Sequence, residues 1–365
     1  MEDLRIVRVS GDPDARGQQI GRELRDLINE SVDFYHRYFA RRGVGSQHLQ
    51  DLLTPYLVAS EAQFPSLMAT LKGMSVGAMV PVLELFAINA FEELEPMLEA
   101  PEGGMLFLQR KEGYLAPPGI EHCSSFSVVG PGTTILGHNE HWLAGDRGNV
   151  AVVIESPDER PVRIASPTVV CCLPAVGING HGFAQGIGSL TASDDGVGVP
   201  RVLVSRNSLE ALDRADAISR AGVATRAGGY GHVFAFADGD AFTVETTAKR
   251  LAVIDGPGVH TNHYLDPDLA AIGPAPSVGS RARHDRLTEL LEQREPRSVP
   301  EVMDVLRDHG STPQAVCLHP DPTEGDEASA VVFSMVADVE ARRMWVAPGN
   351  PCETPYVEID LLSRF

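Results

Sequence analysis

Residues 122–142 read HCSSFSVVGPGTTILGHNEHW, and the fold turns on what that stretch begins. Cys123, Ser124 and Ser125 lead into Phe126, Val128 and Val129, an apolar run that predicts the opening of a buried strand. A polar cluster rich in His, Asn and Glu closes it. Upstream the pattern is helical from 16 to 97. Ile20, Leu24, Leu27, Ile28, Val32, Tyr35 and Phe39 recur at three- and four-residue steps, and a second face runs through Leu49, Leu52, Leu53, Tyr56 and Leu57. Pro81 suits the first position of a further helix, VLELFAINAFEELEPML. The Gly- and Pro-rich APEGGMLFLQRKEGYLAPPGIEH then predicts an irregular, exposed connection up to Cys123.

Downstream the texture changes to strands. NVAVVIES, PVRIAS, AVGINGHGFAQGI, HVFAFA, AFTVETTA, RLAVID, AVVFSMVAD and RRMWVAPG are β-rich, with hairpin turns at ADGD and ADVEARR. Helical patterns interrupt them at PRVLVSRNSLEALDRADAISRAG, at SRARHDRLTELLEQ and at SVPEVMDVLRDHG, where Ser298 and Glu301 suggest a capping box. Grouped strands with tight turns and a few helices predict an α+β protein of antiparallel sheets covered by helices. Residues 1–122 form a helical N-terminal segment and 123–365 the sheet-bearing core, as one structural unit.

The chain has 365 residues, and 43% hydrophobic content suffices for a full core. Thirty basic against fifty acidic side chains give a formal charge of -20, which repels phosphate backbones and anionic lipid, so neither nucleic acid nor membrane is an expected partner. The start shows no charged leader before an apolar stretch, and no apolar run approaches a membrane span, so a soluble cytoplasmic protein is expected. Cys123, Cys171, Cys172, Cys317 and Cys352 are an odd set without a CxxC pair, which writes neither a disulfide framework nor a zinc ribbon. Apart from Cys123, each reads as a small buried hydrophobe. The acidic run FEELEPMLEAPE reads as a solvated helix face.

Seven motifs in order carry a family resemblance: RGQQIGREL, FPSLMATLKGMSVGA, NAFEEL, CSSF, GHNEHW, VHTNHY and SRARHDRLTELL. Together they resemble the isopenicillin-N (acyl-CoA:6-aminopenicillanate) acyltransferases, self-processing cysteine members of the N-terminal-nucleophile (Ntn) hydrolases, a family that includes β-alanyl amide hydrolases. The resemblance implies a four-layer αββα sandwich, cut between His122 and Cys123 into two fragments that stay associated. Cys123 would then carry a thiol and a free α-amine, and an α-amine titrating near 7.7–8.0 is a competent base at neutral pH. By family position Asn262 supplies the oxyanion donor, with Ser280 and Arg283 beside the nucleophile. Ser125, Glu140, Gly188 and Ser189 are the expected substrate contacts. The substrate class implied is a small amide or thioester, with no metal or organic cofactor and with acyl-CoA admitted as co-substrate; homo-oligomerisation is left open.

Three positions depart from the family pattern. His141 stands where a carboxylate usually holds the ammonium, so it is expected to shape proton transfer at Cys123. Gly188 stands where relatives carry Asn, and His122 where a small residue usually precedes the cut. An uncut chain using His141 or His122 as a Cys–His pair is therefore an alternative, as is an inactive Ntn fold kept for binding. The His-x-x-His pairs at His138/His141 and His260/His263 suggest a metallohydrolase, but residues three apart on a strand face opposite ways.

Overall fold

A computed structural model describes residues 4–98, 123–159 and 162–362. The chain opens on a strand, β1 (Arg5–Gly11), which the sequence pattern did not reveal, and continues through α1 (Pro13–Glu23), α2 (Arg25–Arg41), α3 (Ser46–Gln63), α4 (Pro65–Ala78), α5 (Val82–Asn89) and α6 (Phe91–Leu98). After Cys123 come β2 (Ser124–Gly130), β3 (Thr133–Leu143), β4 (Val150–Pro157), β5 (Ile164–Val169), β6 (Gly177–Asn179) and β7 (Phe183–Leu190). Next are α7 (Arg201–Ser208), α8 (Arg214–Ala221), β8 (Gly229–Phe236), β9 (Ala241–Thr246), β10 (Leu251–Asp255) and β11 (Val259–His260). The chain closes with α9 (Pro267–Ala270), α10 (Val278–Arg294), α11 (Val299–Leu306), β12 (Ser329–Asp338), β13 (Arg343–Pro348) and β14 (Val357–Asp360). The connection expected over 100–122 lies outside the described residues.

Two sheets form, one ordered β1-β4-β5-β6-β7-β8-β9-β10 and the other β11-β2-β3-β12-β13-β14. They stack face to face through β2 and β3 against β7 and β8. Outside the smaller sheet, Leu287 and Leu290 of α10 and Val302, Val305 and Leu306 of α11 bury Phe126, Ile135 and Val336. Outside the larger one, Ala217 and Ala221 of α8 cover Phe183, Phe234, Phe236 and Phe242. The order is thus the four-layer αββα expected from the sequence. Pairing is antiparallel except between β1 and β4, which run parallel with Arg5 opposite Ala151. Among the described residues no helix is long and apolar enough to cross a membrane.

The helical segment is locked to this core in two ways. Trp142 at the end of β3 donates to Tyr35 Oη of α2 at 2.6 Å inside a cluster with Tyr38 and Phe91. Helix α1 also crosses α4 at backbone contact. A Cβ on Gly21 would lie 2.3 Å from the Met74 carbonyl, and one on Gly77 2.4 Å from the Gln18 carbonyl. The glycines of RGQQIGREL and LKGMSVGA are therefore a helix-crossing device, at a separation where Cα–H groups meet carbonyls.

Gly21→Ala is expected to lower stability by about 1–3 kcal/mol, because the methyl meets a backbone that cannot yield. Gly148→Ala, at an exposed turn with nothing within 4 Å of its Cβ, should not lower the melting temperature; thermal unfolding of both checks this.

Candidate active site

Cys123 directly precedes β2. It is 2% exposed, and its φ of 64° puts a non-glycine residue in the left-handed region, a strained conformation of the kind concentrated at functional sites. Its Sγ donates to Glu140 Oε1 at 2.9 Å. Strand alternation puts Glu140 and His138 on the same face of β3, towards the other sheet. His138 Nε2 lies 3.0 Å from Glu140 Oε2, and its Nδ1 lies 2.9 Å from Ser125 Oγ.

Donor counting assigns the protons. The Ser125 hydroxyl donates to the Ile187 carbonyl at 3.0 Å, so Ser125 Oγ accepts from His138 Nδ1–H. His138 Nε2 then faces Glu140 Oε2 with one proton between them, either on the ring or on the carboxyl. The chain Cys123–Glu140–His138–Ser125 is a continuous route for a proton away from sulfur. Burial first, and Glu140 second, push the thiol well above its ordinary range, partly offset by the backbone N–H of His141. Both effects favour a neutral Cys123 thiol beside its acceptor.

A second group closes over Cys123 from α10 and the segment after β11. Arg283, 1% exposed, donates through Nη1 to the Cys123 carbonyl at 2.7 Å and to Ser124 Oγ at 2.9 Å, and through Nη2 to Asn262 Oδ1 at 2.9 Å. Holding Oδ1 in this way turns the Asn262 amide nitrogen the other way, where it makes a 3.3 Å contact to the Ser189 carbonyl. Ser280 Oγ accepts from the Asn262 backbone N–H at 2.8 Å. Pairing of β11 with β2 places this segment, because His260 sits opposite Ser125. Glu245 then anchors it, accepting from Leu265 N–H at 2.6 Å and facing His260 Nε2 at 2.9 Å.

Cys123, Ser125, Glu140, Asn262, Ser280 and Arg283 are accordingly brought together. His122 lies outside the described residues. The His141 ring occupies the opposite face of β3, where Nε2 meets the Val316 carbonyl at 3.2 Å, and its backbone serves Cys123. Asn139 shares that face, donating to the Leu306 and Val316 carbonyls at 3.0 and 2.9 Å. Gly188 is required by contact, since a Cβ there would lie 2.2 Å from the Thr261 carbonyl, which no asparagine could satisfy. The Ser189 hydroxyl turns to Glu92 instead of the thiol.

Glu92 overturns the reading of FEEL as a solvated face. Ser189 and Tyr230 both donate to its carboxylate, and its neighbour Glu93 pairs with Arg201 at 2.8 Å; Glu92, Glu93, Arg201 and Tyr230 are all buried and Ser189 is half-buried. Burial pushes the Glu92 carboxyl up, against the pull of Arg201. Next to Glu140 a cavity of about 50 Å³ is lined by Trp142, Val169, Leu173, Ile187, Tyr230 and Phe333. Sequence reasoning missed His138 as a partner of Glu140, although the two-residue strand spacing carried that signal. Nothing local announced Glu92 or Tyr230. The donor atoms of Cys123, His138 and Glu140 lie within 4.8 Å of one another, close enough to share a metal ion. The two His-x-x-His pairs diverge: His263 Nδ1 faces Ser280 Oγ at 2.8 Å, while His260 faces Glu245.

Comparison with known proteins adds a family. Residues 128–353 match the model of the acyl-coenzyme A:6-aminopenicillanic acid acyl-transferase family. Among solved structures, the chain is similar to a conjugated bile acid hydrolase from Clostridium perfringens at 13% identity and a TM-score of 0.48, covering 67% of this chain and 94% of that one. It is also similar to penicillin V acylase from Agrobacterium tumefaciens at 13% identity and a TM-score of 0.45, covering 65% and 86% respectively. No curated protein matches the chain.

Replacing Glu140 by Gln removes the negative neighbour that raises the thiol. The pH midpoint for alkylation of Cys123, followed by mass spectrometry, is expected to move to lower pH in Glu140→Gln than in the parent protein. An unmoved midpoint would show that Glu140 does not govern the thiol.

Proposed function

The chain belongs to the acyl-coenzyme A:6-aminopenicillanic acid acyl-transferase family, and from that premise we propose that it is a cysteine Ntn enzyme that opens a small amide or thioester and holds the acyl group on Cys123. The observation that carries this reading is the buried thiol 2.9 Å from Glu140, beneath the Arg283–Asn262 pair. Attack by sulfur on the substrate carbonyl passes the thiol proton towards Glu140 and His138. The oxygen that becomes negative is met by the Asn262 amide, whose orientation Arg283 sets. Collapse expels the amine or thiol leaving group with that proton and leaves a thioester. Water or an incoming amine then takes the acyl group; acyl-CoA suits the role of donor.

The cavity beside Glu140 favours a short apolar acyl group. Its 50 Å³ corresponds to a few water molecules, and its walls are Trp142, Val169, Ile187 and Phe333. We also propose that the chain cuts itself between His122 and Cys123, the two pieces remaining associated. The left-handed φ at Cys123 supports this, since backbone strain beside a scissile bond is relieved by cutting it. After the cut the new α-amine joins Glu140 as a base. A second reading is favoured by the hydrogen bond from Cys123 to Glu140: the chain stays whole, and the Glu140–His138 pair serves as the base by itself.

Intact denatured mass separates these readings when measured on fresh protein, beside Cys123→Ala, before and after brief exposure to propionyl-CoA. Two fragments meeting at 122/123, with a propionyl adduct on the piece that begins at Cys123, are expected, and neither should appear in the variant. A whole chain that still takes the adduct favours the second reading. A whole chain with no adduct would overturn both.

A further inference from the structure

On the side of β3 opposite Glu140, four side chains converge from three places in the sequence. His309 follows α11, Cys317 and His319 lie on the loop leading towards β12, and Cys352 lies on the turn between β13 and β14. One donor atom from each falls within 4.8 Å of the others. His309 Nε2 and His319 Nε2 are 3.2 Å apart, and Cys317 Sγ and Cys352 Sγ are 3.6 Å apart. His319 Nε2 is 3.2 Å from Cys352 Sγ and 4.0 Å from Cys317 Sγ.

These are four of the six edges of a tetrahedron of a particular size, and the two from His309 to the sulfurs are under 4.8 Å. Zinc–sulfur bonds of about 2.3 Å and zinc–nitrogen bonds of about 2.0–2.1 Å at tetrahedral angles require S···S near 3.8 Å, N···N near 3.3 Å and S···N near 3.6 Å. The observed separations straddle these values within a few tenths of an ångström. Supporting contacts of the kind that metal ligands receive are also present. His319 Nδ1 faces Glu353 Oε1 at 3.5 Å, which directs the Nε2 lone pair inward, and Asn350 Nδ2 donates to Cys317 Sγ at 3.4 Å while also holding the Leu318 carbonyl at 2.8 Å. Soft thiolates with imidazoles in this geometry select zinc over calcium or magnesium.

We propose that His309, Cys317, His319 and Cys352 form a structural zinc site, with four protein ligands and no open position for substrate. Two thiolates balance the charge of the ion. The site joins the loop after α11 to the β13–β14 turn, and that loop carries Val316, whose carbonyl receives Asn139 and His141 of β3. Zinc therefore braces, from behind, the strand that presents His138 and Glu140.

The test uses the full-length protein, purified under reducing conditions without a histidine tag, and reads metal content by elemental mass spectrometry. One zinc per chain is expected in the parent and in Cys123→Ala, with a loss of at least tenfold in Cys352→Ser and in His319→Gln, both at exposed positions. Cobalt added to chelator-treated parent protein should give the intense visible bands of a tetrahedral thiolate site, absent from Cys352→Ser. Three results would each overturn the proposal: a parent protein that neither carries zinc nor develops the cobalt bands, a Cys317–Cys352 disulfide in place of metal, or zinc lost from Cys123→Ala instead.

Discussion

The architecture depends on how closely two sheets approach at three glycines. A Cβ on Gly186 would lie 2.7 Å from Ser125 Oγ, one on Gly188 2.2 Å from the Thr261 carbonyl, and one on Gly231 2.0 Å from the His260 ring. Without side chains there, β7 and β8 press directly against β2, β3 and β11. That contact lets Ser125 reach the Ile187 carbonyl and Asn262 reach the Ser189 carbonyl, so main chain from one sheet completes polar networks begun in the other. A larger residue at any of the three would separate the layers and leave buried hydroxyl and amide groups without partners, which costs about 1–3 kcal/mol each.

Charge is distributed within this close interface with a consistent logic. Acidic groups collect on one side of the thiol, Glu140 touching it and Glu92 and Glu93 further off, answered by Arg201. Arg283 addresses the Cys123 carbonyl instead of its sulfur. Burial and Glu140 therefore favour the protonated thiol, while the guanidinium fixes backbone geometry. Such an arrangement protects a buried cysteine from oxidation and alkylation, since the thiolate is the reactive form.

Much of this was legible from residue order alone. The strand alternation around Phe126 and Val128, the hairpin turns at ADGD and ADVEARR, and the helical faces of Ile20 to Phe39 all lie where the local pattern puts them, because hydrophobic period is a local signal. Strand β1 was not, since RIVRVSG is short and its partner is far along the chain. PRVLVSRNSLEALDRADAISRAG reads as one helix but folds as α7 and α8, with the Asp213 side chain capping the second by accepting from Asp216 N–H. At the site, the motif residues Cys123, Asn262, Ser280 and Arg283 converge. His141 was misread because its face depends on strand register, and Glu92 because burial of an acidic helix end depends on what packs over it. Cys317 and Cys352 read as filler for the same reason: only tertiary structure brings His309 and Cys352 to Cys317 and His319.

The parallel pairing of β1 with β4 sets a timetable for synthesis. Arg5 leaves the ribosome early, yet its partner Ala151 emerges only after the six helices and the first hairpin have followed. At roughly 5–20 residues per second the wait is on the order of ten to thirty seconds. During it, β1 has no strand to pair with, and α1 is held by α2 and, far more extensively, by α4. The glycine-to-glycine crossing of α1 with α4 is thus the most extensive contact available early enough to keep this segment in place, a tether that acts before the sheet exists.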